Sequence, residues 1–432
     1  MSPSLFAKAL SRNQIDKHLT DKNLMSQKIV LAFSGGLDTS YCLWHLKQLG
    51  HEVHSVFVDT GGVSDKERAR IESRAQELGA DRHWTIDASE DIWNEFVIPL
   101  VWSHSRMLDQ YPMLCSDRYV IVRKCLEICE QVGTRIFAHG CTGMGNDQLR
   151  FDQTVRSLGD YEIMAPIRDL QTQTNQIRDF EIKALNDAGF EVPISNSLYS
   201  INENLLGVTI SGGTIDRFQQ PDDNTWKMVR PRNEWPEQPA TVTLGFAAGV
   251  VKTIDGQAVE GPLLLQQLNQ LFGQYGVGRH IYTGDVSIGL KGRIVFECPG
   301  VTALLAAHRA LEDTINTRFQ NQFRHIIAAR WAELVYTGFF YEPHKLDLEA
   351  YLASSQRHVT GSVTLETQGG SVLAVAVDSP HILADPEAVY AQNCNWTPAE
   401  AVGFIKLLGQ SSSLSAKING VVTDSHASAK KT

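Results

Sequence analysis

The chain has 432 residues, 43% of them hydrophobic and 20% charged, which is enough apolar material for two or three folded domains and excludes a disordered polymer. A net charge of −10 excludes a general nucleic-acid binder, which needs a basic face, although a local basic pocket stays compatible. The sequence holds no run of 18 apolar residues, so no membrane span is expected. The seven cysteines are scattered, without a C-x-x-C pair, and read as reduced thiols of a cytoplasmic protein. Cys125 and Cys129 share a helix face and read as buried small hydrophobes rather than half of a metal site.

Residues 1–27 precede the first strand pattern. Leu5, Phe6, Ala9 and Leu10 have helical spacing, so a helical extension is expected. A targeting peptide is the other reading, against which stand Asp16, Asp21 and the short apolar core; Met25 could serve as an alternative start. From Lys28 the pattern alternates. Strands are expected at Ile29 to Phe33, Val53 to Gly62, Asp81 to Ala88 and Thr134 to Gly140, and helices at Thr39 to Leu49, Lys66 to Leu78 and Ile121 to Val132. That alternation predicts βαβ units and a parallel sheet, whose ligands bind past the carboxyl ends of the strands.

Two stretches fall at such ends. The first is KIVLAFSGGLDTS, Lys28 to Ser40: an apolar strand, a Gly-rich turn and a helix start, whose N–H groups can face one anion. It lacks the Lys of a GxxxxGK[ST] phosphate loop. It looks like the SGGxDS-type pyrophosphate loop of enzymes that split ATP between the α and β phosphates. The second is HGCTGMGNDQLRFD, His139 to Asp152, which gathers glycines, a hydroxyl, amides, carboxylates and a guanidinium. It suits a small charged ligand, or it is a surface loop in which Asn146 or Asp147 caps the next helix.

Together these motifs resemble the argininosuccinate synthase family. The resemblance runs on through MAPIRD (Met164 to Asp169), SINENLLG (Ser200 to Gly207), GVGRH (Gly276 to His280), AELVYTGFF (Ala332 to Phe340) and SSQRHVTGSV (Ser354 to Val363). It implies an α/β fold: a parallel-sheet, adenine nucleotide alpha hydrolase-like domain over 28–190, an α+β synthetase and multimerisation domain over 191–385, and a C-terminal arm and mobile tail over 386–432. In that second half Thr241 to Leu244, Ser362 to Thr367 and Ser371 to Val377 read as strands. Leu263 to Tyr275, Thr302 to Thr317, Asn321 to Tyr336 and Ala399 to Leu408 read as helices.

The activity implied is ATP- and Mg²⁺-dependent joining of citrulline to L-aspartate, with release of AMP and pyrophosphate, in a cytoplasmic homotetramer. Carried over by motif, Ala32, Phe33, Ser34, Gly35, Gly36, Leu37, Asp38, Thr39, Ser40, Val58 and Gly140 would hold ATP. Ser34 and the amides of Gly35, Gly36, Thr39 and Ser40 would take the pyrophosphate, and Asp38 would help place Mg²⁺. Thr142, Asn146 and Asp147 would bind aspartate. Tyr111, Ser116, Asn146, Arg150, Ser200 and Thr209 would bind the acceptor, Arg150 through a bidentate pair with its carboxylate. Arg118 joins Ser34 and Asp38 as catalytic. The match of Tyr111, Ser116 and Arg118 needs a one-residue deletion in YPMLCSDRYVIVRK, whose alternative reading is a plain helix N-terminus.

Departures cluster on the acceptor side. Gly284 stands where the family has an acidic residue for the acceptor's α-ammonium, Phe296 where it has Tyr, Ser211 where it has Glu, and Met144 where it has Lys. Each lost hydrogen bond to a charged group is worth roughly 1.5–3 kcal/mol. Asp285 stands one residue from the missing carboxylate. Three readings follow: a citrulline enzyme with compensating contacts, a paralogue for a different ureido or carboxylic acceptor, and a non-catalytic ATP-binding homologue. Another SGGxDS ligase, such as a tRNA-thiolating enzyme, is disfavoured by the acidic charge and the absent C-x-x-C.

Overall fold

Five short segments pair in parallel: β1 (Lys28–Ala32), β2 (Glu52–Asp59), β3 (Arg82–Asp87), β4 (Ile136–Ala138) and β5 (Glu162–Met164). Their order is β3-β2-β1-β4-β5, so the chain winds outward from β1 and then crosses to its other side. The carboxyl ends of β1 and β4 therefore flank the switch point, where such sheets take ligands. The computed structural model describes residues 26–192, 199–222, 225–286, 289–385, 387–388, 392 and 394–419. The extension expected over 1–27 lies almost wholly outside them.

Both faces of this sheet are covered, which is why its strands are apolar rather than alternating. Ile29, Leu31, Val53 and Phe57 point into one core, closed by α1 (Leu37–Gln48), α2 (Asp65–Glu77) and, further along the chain, by the helix Ile177–Asp187. The intervening Val30, Ala32, Val56 and Val58 point into the other core, with α3 (Asp117–Val132) and α4 (Asn146–Leu158). We label Ile177–Asp187 α5.

Beyond residue 199 the chain builds two antiparallel sheets. One has the order β10-β9-β8-β13-β14: β8 (Ala240–Ala247), β9 (Val250–Ile254), β10 (Gln257–Ala258), β13 (Gly361–Gln368) and β14 (Ser371–Asp378). The other has the order β11-β12-β7-β6: β6 (Tyr199–Asn204), β7 (Gly207–Gly212), β11 (Arg279–Asp285) and β12 (Lys291–Glu297). Helices α6 (Gly261–Gln274), α7 (Pro299–Ile315), α8 (Arg318–Tyr336) and α9 (Pro343–Ser355) pack with them. Helix α8 begins at a capping box, in which Thr317 accepts from the Gln320 amide and the Gln320 side chain accepts from the Thr317 amide.

Two compact units result, one ending at His381 and the other beginning at Ile382. In the second, α10 (Pro398–Leu408) and α11 (Gln410–Ile418) bury no residue. Within the expected arm and tail, α11 runs as far as Ile418, where Leu414 and Ile418 continue a helical spacing; residues 420–432 lie outside the described set. The sheet of β6, β7, β11 and β12 was not anticipated, since its strands mix Gly, Ser, Thr and Asn with the apolar residues. The end of β12 is tied to the segment 227–229 by Glu297, fully buried, whose carboxylate accepts from the amides of Lys227 (2.7 Å), Met228 (3.1 Å) and Val229 (2.8 Å). Glu297→Ala strands those donors and is expected to cost at least about 3 kcal/mol in urea unfolding.

Candidate active site

The turn after β1 is shaped for an anion. Gly35 has φ +68°, and a Cβ there would press on Ile71 Cγ1 at 3.1 Å, so this position favours glycine. Gly36 is the extended N-cap of α1 with no side-chain cap, which leaves the first helical amides for a ligand. Ser34, exposed at the mouth, has its Oγ 3.2 Å from Thr39 Oγ1, so the two hydroxyls sit side by side. Two expected donors are engaged: the Gly36 amide reaches Ser34 Oγ at 3.4 Å, and the Ser40 amide donates to the Gly36 carbonyl at 2.9 Å and belongs to the helix. The helix starts at Leu37, two residues earlier than expected, which produces that bond. Ala32 and Phe33 are buried below the turn, and Val58 is buried on β2. Burial raises the Asp38 carboxyl above its ordinary value, against the pull of Arg178.

The loop after β4 abuts this turn. A Cβ at Gly140 would stand 3.2 Å from Thr39 Cγ2 and 3.4 Å from Asp38 Cβ, so the two motifs, a hundred residues apart, are in contact. The loop is fastened from beneath. His139 accepts from the Cys141 amide through Nδ1 at 3.1 Å, and its Nε2 lies 3.0 Å from Asp152, which also takes Arg168 of the MAPIRD segment at 2.9 Å. Thr142 lies half-buried on the loop and Met144 is exposed. Neither Asn146 nor Asp147 caps α4: Gly145 is the N-cap, and no side chain bonds there.

Instead Asp147 is the hub of a charge network. Its Oδ2 accepts from Arg118 at 2.9 Å and its Oδ1 from Arg150 at 2.8 Å. Arg118 also donates to Asp117 at 2.6 Å. Burial works against the Asp147 carboxylate, but the two guanidiniums outweigh it and hold its pKa down at about 2. Arg150 departs from its expected role. Its Nε and Nη2 donate to the Tyr336 carbonyl at 3.0 and 2.8 Å, so the bidentate edge is spent on the protein and only the outer donors remain for a ligand. The Asn146 amide donates to the Tyr336 hydroxyl at 3.1 Å.

The acceptor positions converge on one face of the second sheet. Ser200 and Asn202 on β6 pair with Ser211 and Thr209 on β7, Thr209 pairs with Phe296 on β12, and Phe296 with His280 on β11. Two-residue spacing adds Tyr282 and Gly284 to that face. Tyr111 meets it, with its hydroxyl 3.4 Å from Thr209 Oγ1 and its ring packed on Tyr282, Phe296 and Tyr336. Ser116 is fully buried at the N-cap position of α3, where the alternative reading put a helix N-terminus, and its Oγ makes no hydrogen bond. Ser200 is exposed at the sheet edge. Gly284 has a steric cause: a Cβ there would collide with the Tyr282 hydroxyl. Asp285, the alternative carboxylate, is on the opposite face of the strand and pairs with Lys291 at 2.6 Å.

Three residues here escaped the sequence reading. Tyr336 lies in a quoted segment, AELVYTGFF, but nothing in the pattern assigned it a partner. Tyr282 looked like any strand aromatic. Glu181 lies fully buried on α5 beside α1, its pKa pushed up to about 8 by burial and by the Asp38 charge. Among the described residues, His104, His308 and Glu312 are the one group of three with metal-ligand spacing. It is already satisfied: His308 bonds His104 and Gln356, and Arg324 neutralises Glu312.

Two predictions follow from this geometry. Asp147 has a depressed pKa, so its stabilisation is full above the ordinary value near 3.8 and is lost as pH falls towards 2. Thermal melts from pH 5 to 2 are expected to show a steeper loss for the wild type than for Asp147→Asn. Gly284→Ala is expected to cost about 1–3 kcal/mol by overpacking, and most of that penalty disappears in a Tyr282→Ala background, as read by a double-mutant cycle in urea.

Comparison with known proteins agrees with this layout. A model described as the arginosuccinate synthase N-terminal HUP domain matches residues 28–185, and one for the arginosuccinate synthase C-terminal domain matches 199–417. An argininosuccinate synthase of Xanthomonas campestris is 55% identical over 92% of this chain and 100% of its own length. One of Xylella fastidiosa is 53% identical over 92% and 99%, and one of Methanocaldococcus jannaschii 37% over 89% and 97%. The parallel sheet with its Ser34 loop, the abutting Gly140 loop and the antiparallel second half are thus those of a member of the argininosuccinate synthase family.

Proposed function

We propose that the chain is an ATP-dependent C–N ligase that condenses citrulline with L-aspartate, as its relatives' name describes, in arginine biosynthesis. The observation that carries this reading is the contact between the loop that opens at Gly140 and the turn and helix start that follow Ser34. The chemical problem is a ureido oxygen that leaves poorly. It attacks the α-phosphorus of ATP, forming a C–O–P bond as the bond to pyrophosphate breaks. The aspartate amine then attacks the ureido carbon, the C–O bond breaks, AMP leaves, and the amine gives up its proton. Positioning and charge neutralisation supply most of the catalysis.

Ser34 and the free amides of the α1 N-terminus meet the leaving pyrophosphate. Asp38 would help hold Mg²⁺ through that pyrophosphate, and the bound ion would neutralise charge on the leaving group. Thr142, Asn146 and the ionised Asp147 suit the ammonium and carboxylates of aspartate. The outer donors of Arg118 and Arg150, with Tyr111, Ser116, Ser200 and Thr209, suit the acceptor. The domains divide near residue 190, and the exposed Val402, Phe404, Ile405, Leu407 and Leu408 of α10 fit burial in a homotetramer. No described helix is long and apolar enough to cross a membrane, which suits a cytoplasmic enzyme.

A second reading rests on Tyr282 and Gly284. With the hydroxyl filling the space a carboxylate would need, the pocket also suits a ureido acid whose α-amine is masked or absent. Pyrophosphate release from Mg²⁺-ATP separates the readings. It is expected with citrulline and aspartate together, with a product of argininosuccinate mass, and not when either is omitted. Release only with another ureido or carboxylic acid supports the second reading, and silence with every acceptor supports a non-catalytic homologue. Ser34→Ala is expected to lower the rate on the order of a hundredfold.

A further inference from the structure

The Tyr282 hydroxyl has no account in the reaction above. The residue is 3% exposed, and its hydroxyl is buried without a hydrogen bond of normal geometry. A buried polar group in that state calls for a partner. The Tyr336 hydroxyl, which couples to it, already accepts from the Asn146 amide at 3.1 Å. The Tyr282 side chain lies along β11 with its hydroxyl over Gly284, where a Cβ would overlap it.

The surroundings say what kind of partner fits. The Tyr282 ring stacks on Tyr111 at 5.6 Å and meets Tyr336 edge-on at 6.5 Å, and the Arg150 guanidinium lies over the same Tyr336 ring at 4.9 Å. Tyr282 and the cation whose outer donors suit the acceptor's carboxylate are therefore neighbours of one ring. An α-amino acid carries its carboxylate and its ammonium on one carbon, so the groups that take the two must lie close together. The carboxylates nearby are spent. Both oxygens of Asp147 are taken by guanidiniums, Asp117 pairs with Arg118, and Asp285 pairs with Lys291 on the other face of β11. His280 shares the Tyr282 face but is exposed, and Ser116 Oγ, also unpaired, is among the acceptor groups named already. The Tyr282 phenol is kept protonated by burial, and its oxygen has a lone pair that can accept from an ammonium N–H.

We propose that Tyr282 is a specificity-determining residue for the acceptor's α-amine, its hydroxyl oxygen accepting from the ammonium while the outer donors of Arg150 hold the carboxylate. The inference rests on the ligase reading above, and it opposes the second reading there, in which the hydroxyl leaves no place for the amine. The rival is a phenol that only fills the space over Gly284.

The test compares citrulline with 5-ureidopentanoic acid, the same molecule without its amine, in pyrophosphate release at saturating Mg²⁺-ATP and aspartate. The second compound is read as a substrate or as a competitive inhibitor against citrulline, so its binding is measured either way. Tyr282→Phe keeps the ring and its packing and removes the hydroxyl. It is expected to raise the KM for citrulline about tenfold or more, with kcat within about threefold, and to leave the constant for 5-ureidopentanoic acid within about twofold. Tyr341→Phe, the same change at a buried hydroxyl that packs on Phe340 instead, is the unaffected control. A rise shared equally by both compounds means a packing role and overturns the proposal, as does a citrulline KM unchanged from wild type. Wild-type protein that binds the two compounds equally well has no partner for the amine and overturns it without any variant. Release with 5-ureidopentanoic acid but not with citrulline overturns it in favour of the second reading. No release with any acceptor overturns the ligase reading itself, and the proposal with it.

Discussion

Asp147 takes one guanidinium on each carboxylate oxygen, and three helices are tied through it. Arg118 comes from α3, Asp147 and Arg150 from α4, and Arg150 runs on to the Tyr336 carbonyl at the end of α8. With Asp117 the set is two cations and two anions, so it is neutral before any substrate arrives. Buried pairs of this kind contribute little net stability, because desolvation offsets their attraction. Their value here is geometric. Removing one member leaves a charge uncompensated, so the nucleotide-binding half and the second half hold one register at the place where three substrates have to meet.

The nucleotide side is built from backbone. Sheet order puts the ends of β1 and β4 together, Gly35 supplies a left-handed turn, and the helix start supplies unpaired amides. Such a site demands few side chains, and those proposed for it, Ser34, Thr39 and Asp38, lie within six residues. The acceptor side is the reverse. It is one face of a sheet whose strands come from residues 199–212 and 279–297, with Tyr111 from a distant loop pressed on it. Tyr282 and Gly284 constrain each other across one strand: a large residue at one position requires none at the other. A change in how the acceptor's amine is recognised therefore involves at least two positions.

Much was legible in the chain itself. The β/α alternation from Lys28, the Gly-rich turn at a strand end, the acidic balance and the near-continuous resemblance to one family came from order along the sequence, because each is a local pattern set by propensity and turn chemistry. The elements missed were those whose pattern is not local. The strands of the acceptor-side sheet hold Gly292, Gly284 and Ser211 and draw stability from contacts outside the sheet, such as that of the Glu297 carboxylate with the Val229 amide, rather than from propensity.

By itself, then, the sequence determined the fold class, the family and the Gly-rich turn at the end of β1. The tertiary structure alone decided what each charged side chain is free to do. Arg150 reads as a ligand clamp until the Tyr336 carbonyl occupies its fork. Asn146 and Asp147 read as helix caps until Gly145 takes that position. Glu181, on which the sequence is silent, is fully buried on α5. The reason is physical: propensity and motif act over a few residues, whereas burial, charge pairing and the space left for a side chain depend on chain segments a hundred or more residues away.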